Sequence, residues 1–211
     1  MSTTPKTITA EQVTLPKDSV WRKIPLIGLV VGVLGLGGLF AMHGEHGEAE
    51  YAYLIAYMYF LSIAIGAAFF LAIFYVARGG WHIALRRIGE NIAVTMPLFA
   101  LLFVPIALKL DHIYLWADAH EQATSHILHI KEPFLNVEFF LGRAAFYLAA
   151  MTIIAVYFYR RSVGQDETGD HRVTTHLQAV GAPATAIVAL VSTFMALDWM
   201  MSTDYHWFST I

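Results

Sequence analysis

The chain has 211 residues, is 57% hydrophobic and 14% charged, and carries a formal net charge of −3 at pH 7. Soluble domains run near ~45–50% apolar and ~25% charged, so this composition argues against a water-soluble globule. The basic residues form no patch interleaved with aromatics, which disfavours nucleic acid as a partner. The absence of cysteine removes thiolate-ligated iron–sulfur clusters, C-x-x-C-H haem attachment, disulfides and thiol catalysis from this chain.

Residues 1–23 are polar and read as a cytoplasmic N-terminal segment rather than a signal peptide, since residues 1–20 hold no apolar core with a cleavage site. Four charge-free apolar stretches follow, at 24–44, 51–77, 91–108 and 173–197; a fifth, 136–159, is interrupted only by Glu138 and Arg143. About 20 residues at 1.5 Å each cross a ~30 Å hydrocarbon core, so each stretch is long enough to span. Lipid offers the backbone no hydrogen-bond partner, which makes helix the spanning form. The expected fold is therefore all-α: a polytopic transmembrane helix bundle over residues 24–211. Its five spans are expected at about 24–44, 51–77, 89–110, 136–159 and 177–201. No proline is taken to interrupt the middle of the second, third or fourth span.

Lysine and arginine set the direction. Lys6, Lys17, Arg22 and Lys23 precede the first span, Arg78, Arg86 and Arg87 lie between the second and third, and Arg160, Arg161 and Arg172 lie between the fourth and fifth. These ten face only Lys109 and Lys131 on the other side. The bias puts the N-terminus in the cytoplasm and the 43–50 and 111–134 connections outside. Trp21, Trp81, Trp116, Trp199 and Trp207 fall near the expected interfaces, as belt residues should. Residues 204–211 read as a connection about to turn back into the membrane, so the chain is expected to be the N-terminal half of a longer protein.

Within the first span, Gly28-x-x-x-Gly32 permits close helix approach, either to another helix of this chain or in a dimer seam. Residues 160–172 read as a solvated cytoplasmic turn. Ionisable groups at membrane depth cost several kcal/mol unless paired or hydrated, and are functional candidates for that reason. Asp111 and His112 end the third span, Glu138 and Arg143 lie within roughly 10 Å of the outer end of the fourth, and Asp198 lies about one turn from the end of the fifth. All five share the outer half and are expected to converge on one water-accessible pocket. Glu138 and Arg143 are five residues apart, which turns ~140° round a helix, so Asp198 is the better partner for Arg143. The inner half is sparser, with Glu90 and Asn91 starting the third span and His176, Gln178 and Thr193 on the fifth.

No histidine sits mid-span, where the axial ligands of a b-type haem would have to face each other. His126-x-x-His129 could bind zinc with a third ligand, but a solvated loop is the ordinary meaning of such a set. Walker, G-x-S-x-G and H-E-x-x-H motifs are absent.

Several segments in order carry a resemblance: Tyr59-Phe-Leu-Ser-Ile-Ala-Ile-Gly66; Arg86-Arg87 with Glu90; residues 97–112; Gln165-Asp-Glu-Thr-Gly-Asp170; Gly181-Ala-Pro183; Thr193-Phe-Met-Ala-Leu-Asp-Trp-Met-Met-Ser202; and Trp207-Phe-Ser-Thr-Ile211. Together, over about 21–211, they resemble the second quinone-binding-type membrane subunit (ActF) of bacterial alternative complex III, a quinol:cytochrome c oxidoreductase. That family is similar in turn to the NrfD-like membrane subunits of polysulfide reductases, whose bundles are larger.

The resemblance implies a bacterial inner-membrane subunit that supplies a proton path, and a pocket for quinol (menaquinol or ubiquinol) toward the outer face. The implied partners are an iron–sulfur subunit, c-type cytochrome subunits, a sister NrfD-like membrane subunit and a terminal oxidase. Within the family the sister subunit is the stronger candidate for quinol oxidation. On this reading His112 or Asp111 accepts protons, Asp198 and Glu138 relay them, Arg143 holds their charge and Glu90 opens an inner half-channel. Two other functions stay open: a cofactor-free anchor docking outer subunits through residues 111–134, and half of a secondary transporter, which would need a span broken near the midplane.

Overall fold

The structure, a computed structural model, describes Pro16 and residues 18–41, 48–78 and 83–207. Lys6, Lys17, His43, Trp81, His82 and the last four residues of the resemblance, 208–211, lie outside the described residues. The chain divides into two units, Met1–Glu45 and His46–Ile211.

In the first unit, Ser19 caps a 3-10 turn at Val20–Arg22 that leads into α1 (Ile24–Ala41). α1 carries no charge and is apolar on every side, the pattern of a helix with no wet face.

In the second unit, α2 (Glu48–Ala77), α9 (Val137–Thr168) and α10 (His171–Trp199) are long continuous helices. Between them come α3 (Ile83–Ala93), α4 (Met96–Leu102), α5 (Val104–Leu108), α6 (Leu110–Ile113), α7 (Ala119–Thr124) and α8 (His126–Lys131). No strand occurs among the described residues. Five helical stretches are long and apolar enough to cross a membrane: Val20–Gly38, Glu48–Ala77, Leu85–Leu108, Val137–Thr168 and His171–Thr203.

The third span departs from the sequence expectation. It is broken at Val94–Thr95 and again at Phe103, in front of Pro97 and Pro105, each of which sits in the first turn of the segment it opens. Proline lacks an N–H and crowds the preceding turn, so a helix restarts there more readily than it continues. Two tyrosines of α2 satisfy carbonyls beside the second break: Tyr53 donates to the Leu102 carbonyl (2.6 Å) and Tyr57 to the Phe99 carbonyl (3.1 Å). With no water at membrane depth, such donors from a neighbouring helix make a broken span tolerable.

A second correction concerns residues 160–172. α9 runs on through the charged residues to Thr168, so the solvated turn shrinks to Gly169 and Asp170. Gly169 adopts φ 65° and returns its N–H to the Gln165 carbonyl; the left-handed conformation there suits glycine. Asp170 then caps α10 by accepting from the Arg172 N–H.

Buried residues recur every three or four positions. α2 buries Leu54, Tyr57, Leu61, Ala64, Ala68, Leu71 and Tyr75; α10 buries Leu177, Gly181, Ala184, Val188, Val191 and Met195. That period keeps one seam of each helix against its neighbour. α2 packs on α10 and on the third span, while α9 closes the other side of both. A Cβ at Gly181 would lie 3.0 Å from Tyr75 Cβ and 3.2 Å from the Ala72 carbonyl oxygen, so the α2–α10 crossing depends on the missing side chain. The outward faces carry Ile55, Phe60, Leu101, Phe146, Ile153 and Leu190, all exposed. Large apolar surface of this kind is the surface a bilayer covers.

Helices α2 and α9 begin, and α10 finishes, at the end that carries residues 110–136. We refer to it as the loop end. The opposite end, where α2 stops and α9 gives way to α10, is the turn end.

Candidate functional site

At the loop end, α9 and α10 bring opposite charges together. Arg143 sits on the second turn of α9 and Asp198 one residue before the end of α10, so two neighbouring antiparallel helices place them at the same depth. Arg143 Nε donates to Asp198 Oδ2 at 2.7 Å and Nη2 to Oδ1 at 3.1 Å. The Tyr147 hydroxyl donates to Asp198 Oδ2 at 2.9 Å. The third guanidinium nitrogen, Nη1, donates to the Phe134 carbonyl at 3.0 Å, and the guanidinium lies 3.9 Å from the Phe134 ring centre and 4.4 Å from that of Phe139. Every nitrogen of Arg143 therefore has an acceptor, and its faces are covered by aromatic rings.

Asp198 is 1% exposed. A carboxylate so buried at this depth is tolerable only when paired and hydrogen-bonded. Its backbone is also held, since the Ser202 hydroxyl donates to the Asp198 carbonyl. Next in sequence, the Trp199 carbonyl accepts from the Tyr114 hydroxyl at 3.1 Å. Burial pushes the Tyr114 phenol well above its ordinary range, with the Asp198 charge adding to the effect, so Tyr114 remains a donor.

A cleft of about 340 Å³ lies beside the pair. Phe134 and Ser202, which hold Arg143 and Asp198, both line it, together with Lys131, Phe194, Asp204 and Tyr205. Lys131 Nζ donates to the Tyr205 carbonyl at 2.6 Å, and the Tyr205 hydroxyl to Glu121 Oε2 at 3.2 Å. The cleft is thus walled by the last turn of α10 on one side and the loop helices on the other. Behind this lining, the Asp198 carboxylate and the Tyr147 phenol, joined by a hydrogen bond, can pass a proton between them.

The other expected members of this site lie elsewhere. Asp111 and His112 pair with each other (Oδ1 to Nδ1, 3.1 Å) and are both exposed on α6. Glu138 is exposed on the first turn of α9. None of the three makes a hydrogen bond or ion pair with Arg143 or Asp198, so the single convergent pocket expected for all five residues is reduced to the Arg143–Asp198 pair with Tyr147. Depth along a helix follows from the sequence; the direction in which a side chain leaves the helix decides whether residues of equal depth meet.

Glu90 belongs to a second cluster, at the turn end. It is fully buried, with Arg87 Nη1 at 2.6 Å from one carboxylate oxygen and Arg86 Nε at 3.6 Å from the other. Both arginines also reach Asp166 on α9, and Arg87 Nη2 donates to the Ser162 carbonyl at 3.4 Å. The sequence reading missed Asp166 and Tyr147. Tyr147 was within reach, because it stands four residues after Arg143 and shares its face of α9. His120, His126 and His129 are exposed on the loop helices, and no group of three or more metal-ligating side chains gathers among the described residues.

The helices and the buried pair define a multi-pass, all-α membrane protein. In comparison with known proteins, the chain matches no protein-family model and no curated protein.

Proposed function

We propose that the chain is an integral subunit of a bacterial inner-membrane quinol:cytochrome c oxidoreductase of the alternative complex III type, with its N-terminus in the cytoplasm. The observation that carries this reading is the buried Arg143–Asp198–Tyr147 group behind the Phe134 and Ser202 lining of a 340 Å³ cleft, in a chain whose sequence resembles that subunit. In this function quinol occupies the cleft and gives up two electrons and two protons as it becomes quinone. The electrons leave to iron–sulfur and c-haem centres on partner subunits, since no cysteine ligand is available here. The protons pass by Asp198 and Tyr147 toward the loop end, where the exposed Asp111–His112 pair meets water. Glu90, clamped by Arg86 and Arg87, occupies the equivalent position at the turn end.

The test is purification of the tagged full-length chain from native membranes with its bound subunits. Haem absorbance and quinol:cytochrome c reductase activity are expected in the same fraction. Asp198→Asn, which also weakens the folded protein by leaving Arg143 without its counter-charge, should lower turnover per assembled complex by about a hundredfold or more, the size of a lost proton-transfer group. Normal turnover in a weakened complex would make the pair scaffold and leave the anchor reading.

The broken third span favours a second reading, half of a secondary transporter, because such proteins bind substrate at interrupted helices. Against it, the Leu102 and Phe99 carbonyls beside the Phe103 break are taken up by Tyr53 and Tyr57, and the cavity of about 520 Å³ between Pro97, Ala100, Phe103 and α9 has no charged residue in its lining. Uptake of a solute by vesicles holding only this protein would decide for the transporter.

A further inference from the structure

Near the turn end, a hydrogen bond joins α9 to α10 across their exposed seam: the Tyr157 hydroxyl lies 2.6 Å from His176 Nε2. The two helices are antiparallel, so one turn further toward Gly169 the same faces carry Arg161 and Arg172. Arg161 lies over the phenol, its guanidinium 5.6 Å from the ring centre. Arg161, Arg172 and His176 are all exposed.

Two like charges thus stand on one rung without a counter-charge. Neither arginine has an ion pair or a side-chain hydrogen bond among the described residues. The nearby carboxylates are engaged elsewhere: Asp166 pairs with Arg86 and Arg87, and Asp170 accepts from the Arg172 backbone N–H. Glu167, six residues after Arg161, leaves α9 about 120° round from it. At the other end of the same interface, by contrast, Arg143 has Asp198 facing it. A rung of two arginines repels itself, and an anion between them relieves the repulsion.

Depth and shape select the anion. The apolar run of α9 ends at Tyr159, so Tyr157 stands at the edge of the hydrocarbon and Arg161, about 6 Å further along the helix, in the headgroup layer. In the other direction the same faces are apolar and open. Ile153 and Phe146 on α9 are 68% and 63% exposed and Ile187 on α10 is 43% exposed, with the smaller Ala150 and Pro183 between them. Tyr157 to Phe146 covers about 16 Å, close to one leaflet of a ~30 Å hydrocarbon core. A free phosphate would use the arginines alone, whereas a phosphate carrying hydrocarbon chains uses both halves of this face. Guanidinium forks match phosphate oxygens in shape as well as charge. We propose that the seam binds an anionic phospholipid, with Arg161 and Arg172 sharing its phosphate and an acyl chain lying over Ile153 and Ala150 toward Ile187.

The test uses the full-length protein in detergent, with the subunits that co-purify, titrated with dioleoylphosphatidylglycerol and read by native mass spectrometry. Arg161→Gln and Arg172→Gln should each weaken binding of the first lipid by about fivefold. The double variant should weaken it by about 25-fold. Arg160→Gln removes an equal charge about 100° round α9 from Arg161 and should leave binding unchanged. An equal loss in that variant would reduce the effect to general attraction by a basic surface and overturn the site. Inorganic phosphate and glycerophosphoglycerol, the same headgroup without chains, should fail to displace the lipid when added in excess; displacement by either would assign the rung to a soluble anion. Unchanged affinity in the double variant, with its unfolding temperature kept, would also overturn the proposal. So would loss of a co-purifying subunit without loss of lipid, which would assign the arginines to an acidic protein surface.

Discussion

Arg143 grips both carboxylate oxygens of Asp198 across the α9–α10 interface, at 2.7 and 3.1 Å. The two residues are 55 positions apart in sequence and are both largely buried, with side chains 11% and 1% exposed. The pair brings no net charge into the bilayer, although each member alone would be costly there.

Removing one member is therefore expected to be far worse than removing both. Arg143→Met should destabilise the folded protein by about 3–5 kcal/mol, because it leaves Asp198 buried without its counter-charge. The double variant Arg143→Met with Asp198→Leu should recover most of that loss. Denaturant unfolding in detergent, arranged as a double-mutant cycle, measures both. Equal losses for the single and double variants would contradict the argument.

The tyrosines that serve the broken span give a second expectation. Tyr53→Phe and Tyr57→Phe keep the rings but remove the donors to the Leu102 and Phe99 carbonyls, at a cost of about 0.5–1.5 kcal/mol each. Amide hydrogen exchange should rise around residues 99–107 and stay unchanged in α9. Unaltered exchange there would mean that the break is stable without these hydroxyls.

Orientation is open to a direct measurement, made clean by the absence of cysteine. Ala123→Cys, exposed on α7, should react with an impermeant maleimide added to intact cells. Glu167→Cys, exposed near the end of α9, should react only after lysis. The reverse pattern would turn the protein over in the membrane.

Asp118 supplies a pH dependence. Its carboxylate accepts from the backbone N–H groups of Glu121 and His120 at the start of α7, which holds its pKa below the ordinary aspartate value. The cap is thus fully present above the unfolded-state pKa and is lost as pH falls through the lower folded-state one. Exchange of the His120 and Glu121 amides should quicken on acidification in that range. In Asp118→Asn, which keeps an acceptor but cannot titrate, it should change little.

Much of this architecture was legible because a bilayer imposes a severe rule. A spanning helix needs a long charge-free run, and such runs marked all five spans to within a few residues, except where polar residues extend the helix. α9 shows that exception: beyond Tyr159 its arginine, glutamine and glutamate residues continue the helix to Thr168, since charge removes a segment from lipid without unwinding it. The pairing of Arg143 with Asp198 was legible from angular spacing. The placement of Asp111, His112 and Glu138 was not, because their azimuth depends on how the helices rotate against one another. The breaks before Pro97 and Pro105 were visible as residues but not as a structure, since the second is served by hydroxyls reaching over from α2.

The tight Gly169–Asp170 connection has a consequence for biosynthesis. α9 and α10 form a helical hairpin whose closing segment costs little loop entropy, so the two helices can meet soon after both emerge from the ribosome. An arginine or aspartate presented singly to the insertion machinery carries a penalty of about 2.5–3.5 kcal/mol at a helix centre. Entering as a hairpin, the helices can deliver Arg143 and Asp198 already clasped at its open end, neutral as they cross. Lengthening the connection with glycine and serine would separate the two deliveries, and its cost would then fall on insertion efficiency in a translocation assay before it reached the stability of the finished protein.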